Sequence, residues 1–211
     1  MIRFLSAFCA TVALVPCAVK AQQAEGRPPA EVAIGLLAHG VPKPFRGPPP
    51  PGTFYANEAE GGTVDLHLVL RSPPLRGALK PRLTAKLYLN TGGRTSLASV
   101  GAEWRQYAFR RRVYGQVGIG LALHDGYIAT PDPFAPGIGR AEAERRYAIY
   151  STRTDFGSRV LFNPSFSIGI QLNRRLAAEA TYEHFSHNGW FGRTNPGLET
   201  MGLRFVYKLR R

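Results

Sequence analysis

Cysteine is almost missing from this 211-residue chain, and the only two, Cys9 and Cys17, fall within the first twenty positions. If that segment is removed, no disulfide scaffold, cysteine-ligated zinc site or thiol nucleophile can exist in the remainder. Acidic residues are scarce too, 14 against 27 Lys plus Arg, for a formal net charge of +13. A surplus of that sign collects phosphate, which points to nucleic acid or an anionic membrane without choosing between them. Long apolar runs are lacking: beyond the N-terminus no stretch approaches the roughly 18 residues that a spanning helix needs. Nor does any segment keep a helical apolar stripe, Gly139 to Ala148 being the one short helix that the pattern allows.

What is present begins with an address. Met1 to Ala21 has Arg3 near its start, an apolar run from Phe4 to Val19 and the small-residue ending Val19-Lys20-Ala21. These features read as a secretory signal peptide over residues 1–21, leaving 22–211 as a single domain. A rival reading makes Cys17 a lipidated N-terminus, but Pro16 stands where such signals carry a small residue. Export argues against nucleic acid as a partner, and no nucleic-acid motif is present.

The rest of the chain alternates with period two. In Tyr114 to His124, Val117, Ile119, Leu121 and Leu123 share one parity, and the other parity is small or polar. Val160 to Leu172 and Thr63 to Leu70 repeat the pattern. It predicts eight strands, near 31–40, 62–71, 79–91, 94–105, 112–124, 158–172, 175–187 and 199–209. Connections at 41–61 and 125–157 are long and that at 188–198 is intermediate, and they share one end with the short Thr91-Gly92-Gly93. The other end has tight turns at Ser72-Pro73-Pro74, Arg110-Arg111 and Asn173-Arg174.

An even strand count, loop asymmetry and an apolar outward face predict an all-β fold, an eight-stranded antiparallel transmembrane β-barrel of the outer membrane. A soluble sandwich or lipocalin-like barrel alternates as well, but these strands are long and their second face is polar or glycine rather than another apolar core. A barrel of this size is filled by side chains and forms no pore. The basic surplus then divides between two ends. Arg46, Arg94, Arg140, Arg145, Arg146, Arg153, Arg159 and Arg193 belong to the longer loops, where lipopolysaccharide phosphates would lie. Arg71, Arg76, Arg110, Arg111, Arg112, Arg174 and Arg175 belong to the turn end, beside anionic head groups. Each such charge near a lipid surface is worth about 1 kcal/mol, although any single one also fits a merely solvated loop charge.

The last two strands hold an anomaly. Leu176, Ala178, Ala180 and Tyr182 set an outward parity that continues into His184 and Ser186, and Glu199 shares the parity of Met201, Leu203 and Phe205. Residues two apart on a strand lie about 6.5 to 7 Å apart on one face, and a hairpin partner lies about 5 Å away. An imidazole in that position can take a serine proton while a carboxylate fixes its tautomer. A plainer reading treats the three as polar groups tolerated at the membrane rim, where a charge costs little.

The stretch Tyr182-Glu183-His184-Phe185-Ser186, followed by Asn195-Pro196-Gly197-Leu198-Glu199 and Gly202-Leu203-Arg204-Phe205, resembles the C-terminal end of the lipid A 3-O-deacylases, the PagL family. Thr95-Ser96 and Arg159-Val160-Leu161-Phe162-Asn163 are looser matches. The resemblance implies an outer-membrane ester hydrolase that removes the 3-O-linked hydroxyacyl chain of lipid A, with no cofactor and no obligatory metal. It implies His184 as general base, Ser186 as nucleophile and Glu199 as the residue orienting the histidine, with Asn195 and Gly189 supporting the oxyanion. Its partners are lipopolysaccharide and the outer membrane, and the oligomeric state stays open between monomer and homodimer.

Two departures accompany the resemblance. His187 stands where the family commonly has Asn, as a spectator, a second base or a change in the oxyanion site. The chain closes Tyr207-Lys208-Leu209-Arg210-Arg211 instead of on an aromatic residue. Two other functions stay open: a non-catalytic barrel that binds lipopolysaccharide or a surface partner, and a soluble periplasmic esterase. His39, His67 and His124 fall on separate strands without a carboxylate set and read as interior or rim residues rather than metal ligands.

Overall fold

The computed structural model describes residues 28–42, 60–77, 79–187, 189–192 and 195–209. The signal segment, most of the Pro42 to Pro51 stretch, Arg46 and Arg193 lie outside these residues. The strands are β1 (Glu31–His39), β2 (Thr63–Arg71), β3 (Arg82–Asn90), β4 (Leu97–Ala108), β5 (Val113–His124), β6 (Val160–Phe162), β7 (Ser165–Gln171), β8 (Leu176–Phe185) and β9 (Leu198–Lys208), with helix α1 (Arg140–Tyr150) between β5 and β6. Every pairing between them is antiparallel, and because β1 pairs with both β2 and β9 while β4 pairs with β5, the sheet closes on itself.

β6 and β7 are two halves of one stave. Phe162 opposite Leu121 and Ser165 opposite Gly118 keep one register against β5, so no residue is inserted between them. The interruption falls at Asn163-Pro164, where proline has no N–H to give to the ladder. The barrel therefore has eight staves, as the alternation predicts. Strand ends differ from the expected bounds by a few residues: β4 starts at Leu97 and runs on to Ala108, and α1 extends to Tyr150. No described helix is long and apolar enough to cross a membrane; here the crossing elements are strands.

Parity sorts the side chains. Outward positions such as Leu36, Leu68, Leu83, Ile119, Ile168 and Leu203 are exposed and apolar. Inward positions are charged and paired, because an unpartnered buried charge is far more costly than a paired one. Arg71 reaches Glu103 at 2.7 Å and Glu179 at 2.9 Å, Lys86 reaches Glu103 at 3.1 Å and Glu183 at 3.0 Å, and Arg105 reaches Glu31 at 2.8 Å. Arg204 bonds to both Glu179 and Glu183. Arg71, expected beside lipid head groups, is thus an interior residue only 2% exposed; its parity along β2 is inward even though it ends the strand.

Apolar inward residues gather in two clusters. One, at the turn end, is Ala33, Val69, Tyr114, Ala177 and Val206. There Tyr114 lies across its β7 partner Gly169, where a Cβ would fall 2.1 Å from the ring, and it donates to Glu179 at 2.8 Å. The other cluster, at the loop end, includes Leu37, Tyr88, Phe156, Phe185 and Leu198. Phe185 and Leu198 are direct partners between β8 and β9, so this cluster anchors from within the strand ends that carry the outward site.

Candidate active site

The register of β8 and β9 pairs His184 directly with Glu199. Both follow the outward parity, one residue removed from the buried Phe185 and Leu198. Nδ1 of His184 lies 2.7 Å from Oε1 of Glu199, and Nε2 lies 2.9 Å from Oγ of Ser186. A carboxylate only accepts, so Nδ1 carries the proton and Nε2 is left bare to accept from the serine hydroxyl. The Glu199 side chain is fully buried while the His184 side chain is 27% exposed, which puts the open side of the arrangement at the serine. Ser186 is fixed by a bridge to Phe162, whose N–H donates to the Ser186 carbonyl at 2.7 Å.

The two proposed supporting residues follow the serine closely. The amide oxygen of Asn195 accepts the backbone N–H of His187 at 3.0 Å, which ties the far side of the hairpin to the residue after Ser186. Gly189 has a φ of 76°, the left-handed conformation that glycine adopts most cheaply, inside a turn closed by the Trp190 N–H on the His187 carbonyl. Neither Asn195 nor Gly189 bonds directly to Ser186 among the described residues. Beside the serine, Phe162 meets Trp190 at 5.4 Å and Phe191 at 5.6 Å between ring centroids, forming an aromatic edge to the site.

His187 points the other way. It is fully buried, its Nε2 lies 3.1 Å from the Phe156 carbonyl, and its Nδ1 receives the Phe191 N–H at 3.4 Å. With Nδ1 accepting, Nε2 donates to the carbonyl, and the ring joins the long loop before β6 to the loop before β9. Alternation after His184 and Ser186 carries this orientation, so sequence parity alone was enough to read it.

A second buried cluster was not singled out by the sequence. Glu60 is fully buried and accepts the backbone N–H groups of Thr154 at 2.9 Å and Thr95 at 3.1 Å, with Arg153 at 3.3 Å and His39 at 3.6 Å. His39 in turn bonds to Asp65 at 2.8 Å. Burial alone would raise the Glu60 pKa, but the neighbouring His39 imidazole, the N–H groups of Thr154 and Thr95 and the charge of Arg153 outweigh it and hold the carboxyl below its ordinary value. Glu60 thereby joins two loops over the barrel mouth. Glu60 is followed by two glycines in a connection between strands, and no periodicity marks it.

Among the described residues, the loop arginines are engaged within the chain. Arg140 pairs with Glu144, and Arg145 and Arg146 share Glu142, pulling its pKa down to about 2 through hydrogen bonds from Arg145 and then Arg146. Arg94 donates to the Thr152 carbonyl, and Arg159 to the carbonyls of His124 and Gly126. The remaining histidines are interior: His67 stacks on Tyr88 at 4.3 Å and His124 lies 2.7 Å from the Ser158 carbonyl. Among the described residues no group of three or more His, Cys, Asp or Glu could hold a metal ion.

Comparison with known proteins bears on this geometry. No curated protein matches the sequence. The crystal structure of the outer membrane enzyme PagL superposes with a TM-score of 0.54 at 13% identity, covering 85% of this chain and 99% of that one, which supports the fold. The Yersinia pestis outer membrane protein Ail gives 0.43 at 10% identity, with 85% and 99% covered, and the neisserial surface protein NspA gives 0.40 at 11%, with 85% and 94% covered. A family model described as lipid A 3-O-deacylase (PagL) matches residues 78–208, a span containing every strand from β3 to β9 and all the candidate site residues. The chain therefore belongs to the PagL family and is an outer-membrane barrel.

Proposed function

We propose that this protein hydrolyses the ester of the 3-O-linked hydroxyacyl chain of lipid A, with Ser186 as nucleophile, His184 as general base and Glu199 as the group that orients the imidazole. The observation that carries the reading is the bridging position of His184, 2.7 Å from Glu199 and 2.9 Å from Ser186. Family membership supports the substrate class.

In this reading the bare Nε2 takes the hydroxyl proton as Oγ attacks the ester carbonyl carbon. The resulting imidazolium is stabilised by Glu199 across Nδ1. The tetrahedral oxyanion is met by the amide NH2 of Asn195, whose oxygen is already engaged by His187, and by the Gly189 backbone N–H; such donors contribute about 3 to 4 kcal/mol each. Collapse breaks the ester C–O bond, and His184 gives its proton to the departing sugar oxygen, which leaves as the hydroxyl. Water, deprotonated by the same imidazole, then releases the fatty acid from Ser186. An outward-facing serine near the loop rim meets a lipid ester by lateral diffusion, so the filled barrel interior has no part in access. Residues 1–21 serve as the export signal that brings the chain to this membrane.

A long-chain alkyl fluorophosphonate tests the nucleophile. The expected result is one covalent adduct on Ser186, absent in Ser186→Ala and strongly slowed in His184→Ala. A folded barrel that takes no label, or takes it elsewhere, would favour the non-catalytic barrel.

A further inference from the structure

The short turns form the end opposite the site, and their charge has one sign. Segment 72–81 contributes Arg76 and Lys80, segment 109–112 contributes Arg110, Arg111 and Arg112, and segment 172–175 contributes Arg174 and Arg175. None of these segments contains an Asp or Glu. All seven basic residues are exposed except Arg111, which is half-buried with its guanidinium 4.8 Å from the Tyr107 ring centre. Strand order distributes the three turns around the barrel, between β2 and β3, β4 and β5, and β7 and β8, so the charges form a ring rather than a patch.

This end contrasts with the loop end. There Arg140, Arg145, Arg146 and Arg153 each meet a carboxylate of the chain itself. At the turns, like charges stand next to one another, and none of the three segments supplies an acidic side chain to offset their repulsion. Apolar side chains stand among the cations: Leu79 is 74% and Phe109 78% exposed. Phe109, Arg110 and Arg111 all hold left-handed backbone angles of 49°, 54° and 66°, a conformation costly to residues with a Cβ. Just above the ring, the outward strand ends Leu70, Leu83, Ile170 and Leu172 are exposed and apolar, so the hydrocarbon layer extends down to the turns.

From this juxtaposition we propose that the turn-end ring binds the phosphates of anionic glycerophospholipids in the leaflet on that side, with Leu79 and Phe109 inserted among the head groups. A soluble polyanion would match the charge but would leave the two apolar side chains in water. A lipid interface satisfies both. The inference stands apart from the catalytic reading, since the ring and the serine lie at opposite ends of the barrel.

Native mass spectrometry of the full barrel released from mixed phosphatidylcholine and phosphatidylglycerol micelles tests it. The wild type is expected to retain phosphatidylglycerol preferentially, with the enrichment falling as salt is raised. Quadruple replacement Arg110→Gln, Arg112→Gln, Arg174→Gln and Arg175→Gln should remove the preference, by roughly five-fold for each charge that contacts a lipid. Arg76→Gln with Lys80→Gln, in a separate turn, should lower it in part and serves if the quadruple variant fails to fold. Arg140→Gln with Arg145→Gln, at the loop end, should leave it unchanged. Equal retention of the two lipids by the wild type, or an equal loss in the loop-end control, would overturn the proposal, as would a preference for inorganic polyphosphate that displaces no lipid.

Discussion

Ser186 and His187 are consecutive residues with opposite duties: the serine hydroxyl faces the membrane side, 2.9 Å from the His184 imidazole, while the His187 ring is buried inside the barrel mouth, 3.1 Å from the Phe156 carbonyl. Of the roles open to a histidine beside the serine, a second base is thereby removed. Its ring cannot reach the serine oxygen from the inward face.

His187→Ala is accordingly predicted to act on order rather than chemistry. It leaves a buried carbonyl and a backbone N–H without partners, at about 1 to 3 kcal/mol, and frees the loop that holds Asn195. Lipid A deacylation should slow while the pH profile keeps its shape, and the thermal midpoint should fall. An altered profile at unchanged stability would return His187 to the chemistry.

Glu199→Gln keeps the size of the side chain but can also donate, so it no longer enforces the tautomer with the proton on Nδ1. The expected loss in kcat is on the order of 10³ to 10⁴, with the barrel still folded. Deacylation kinetics beside a heat-modifiability assay would separate the two effects.

The interior network predicts a stability effect of a different size. Arg204→Met leaves Glu179 and Glu183 with fewer counter-charges, and removing one partner from a buried pair costs about 3 to 5 kcal/mol. Arg140→Ala, which breaks an exposed pair on α1, should cost less than about 1 kcal/mol. Urea unfolding in detergent would rank the two, and equal midpoints would contradict the paired-interior account.

Glu60 makes the loop cap sensitive to acid. Its folded pKa lies below its ordinary value of 4.5, so its contribution is complete above that value and is lost as pH falls through the lower folded one. Protection of the Thr95 and Thr154 amides from hydrogen exchange, relative to a free chain at the same pH, should fall across that acid range in the wild type and be low at neutral pH in Glu60→Ala.

Much of the barrel was legible because one rule, alternation, acts on every strand. It placed eight staves and the outward His184, Ser186 and Glu199, and it would also have turned His187 inward. What escaped it were contacts that depend on three-dimensional closure. Arg71 looked like a turn residue but bonds across the lumen to Glu179, 108 positions away in sequence. Glu60 clamps Thr95 and Thr154 from a loop with no periodicity. Helix α1 pairs Arg145 and Arg146 with Glu142 at the short spacings that a helix brings together, contacts on which strand alternation is silent.

Cleavage of a lipid A acyl ester by the outward serine has a direct readout. Mass spectrometry of lipid A after incubation with the purified barrel, run beside Ser186→Ala, addresses it most directly. Loss of a single 3-hydroxyacyl chain is expected with the wild type, and intact lipid A with the variant. Intact lipid A from a folded wild-type barrel, or equal loss with both proteins, would contradict it.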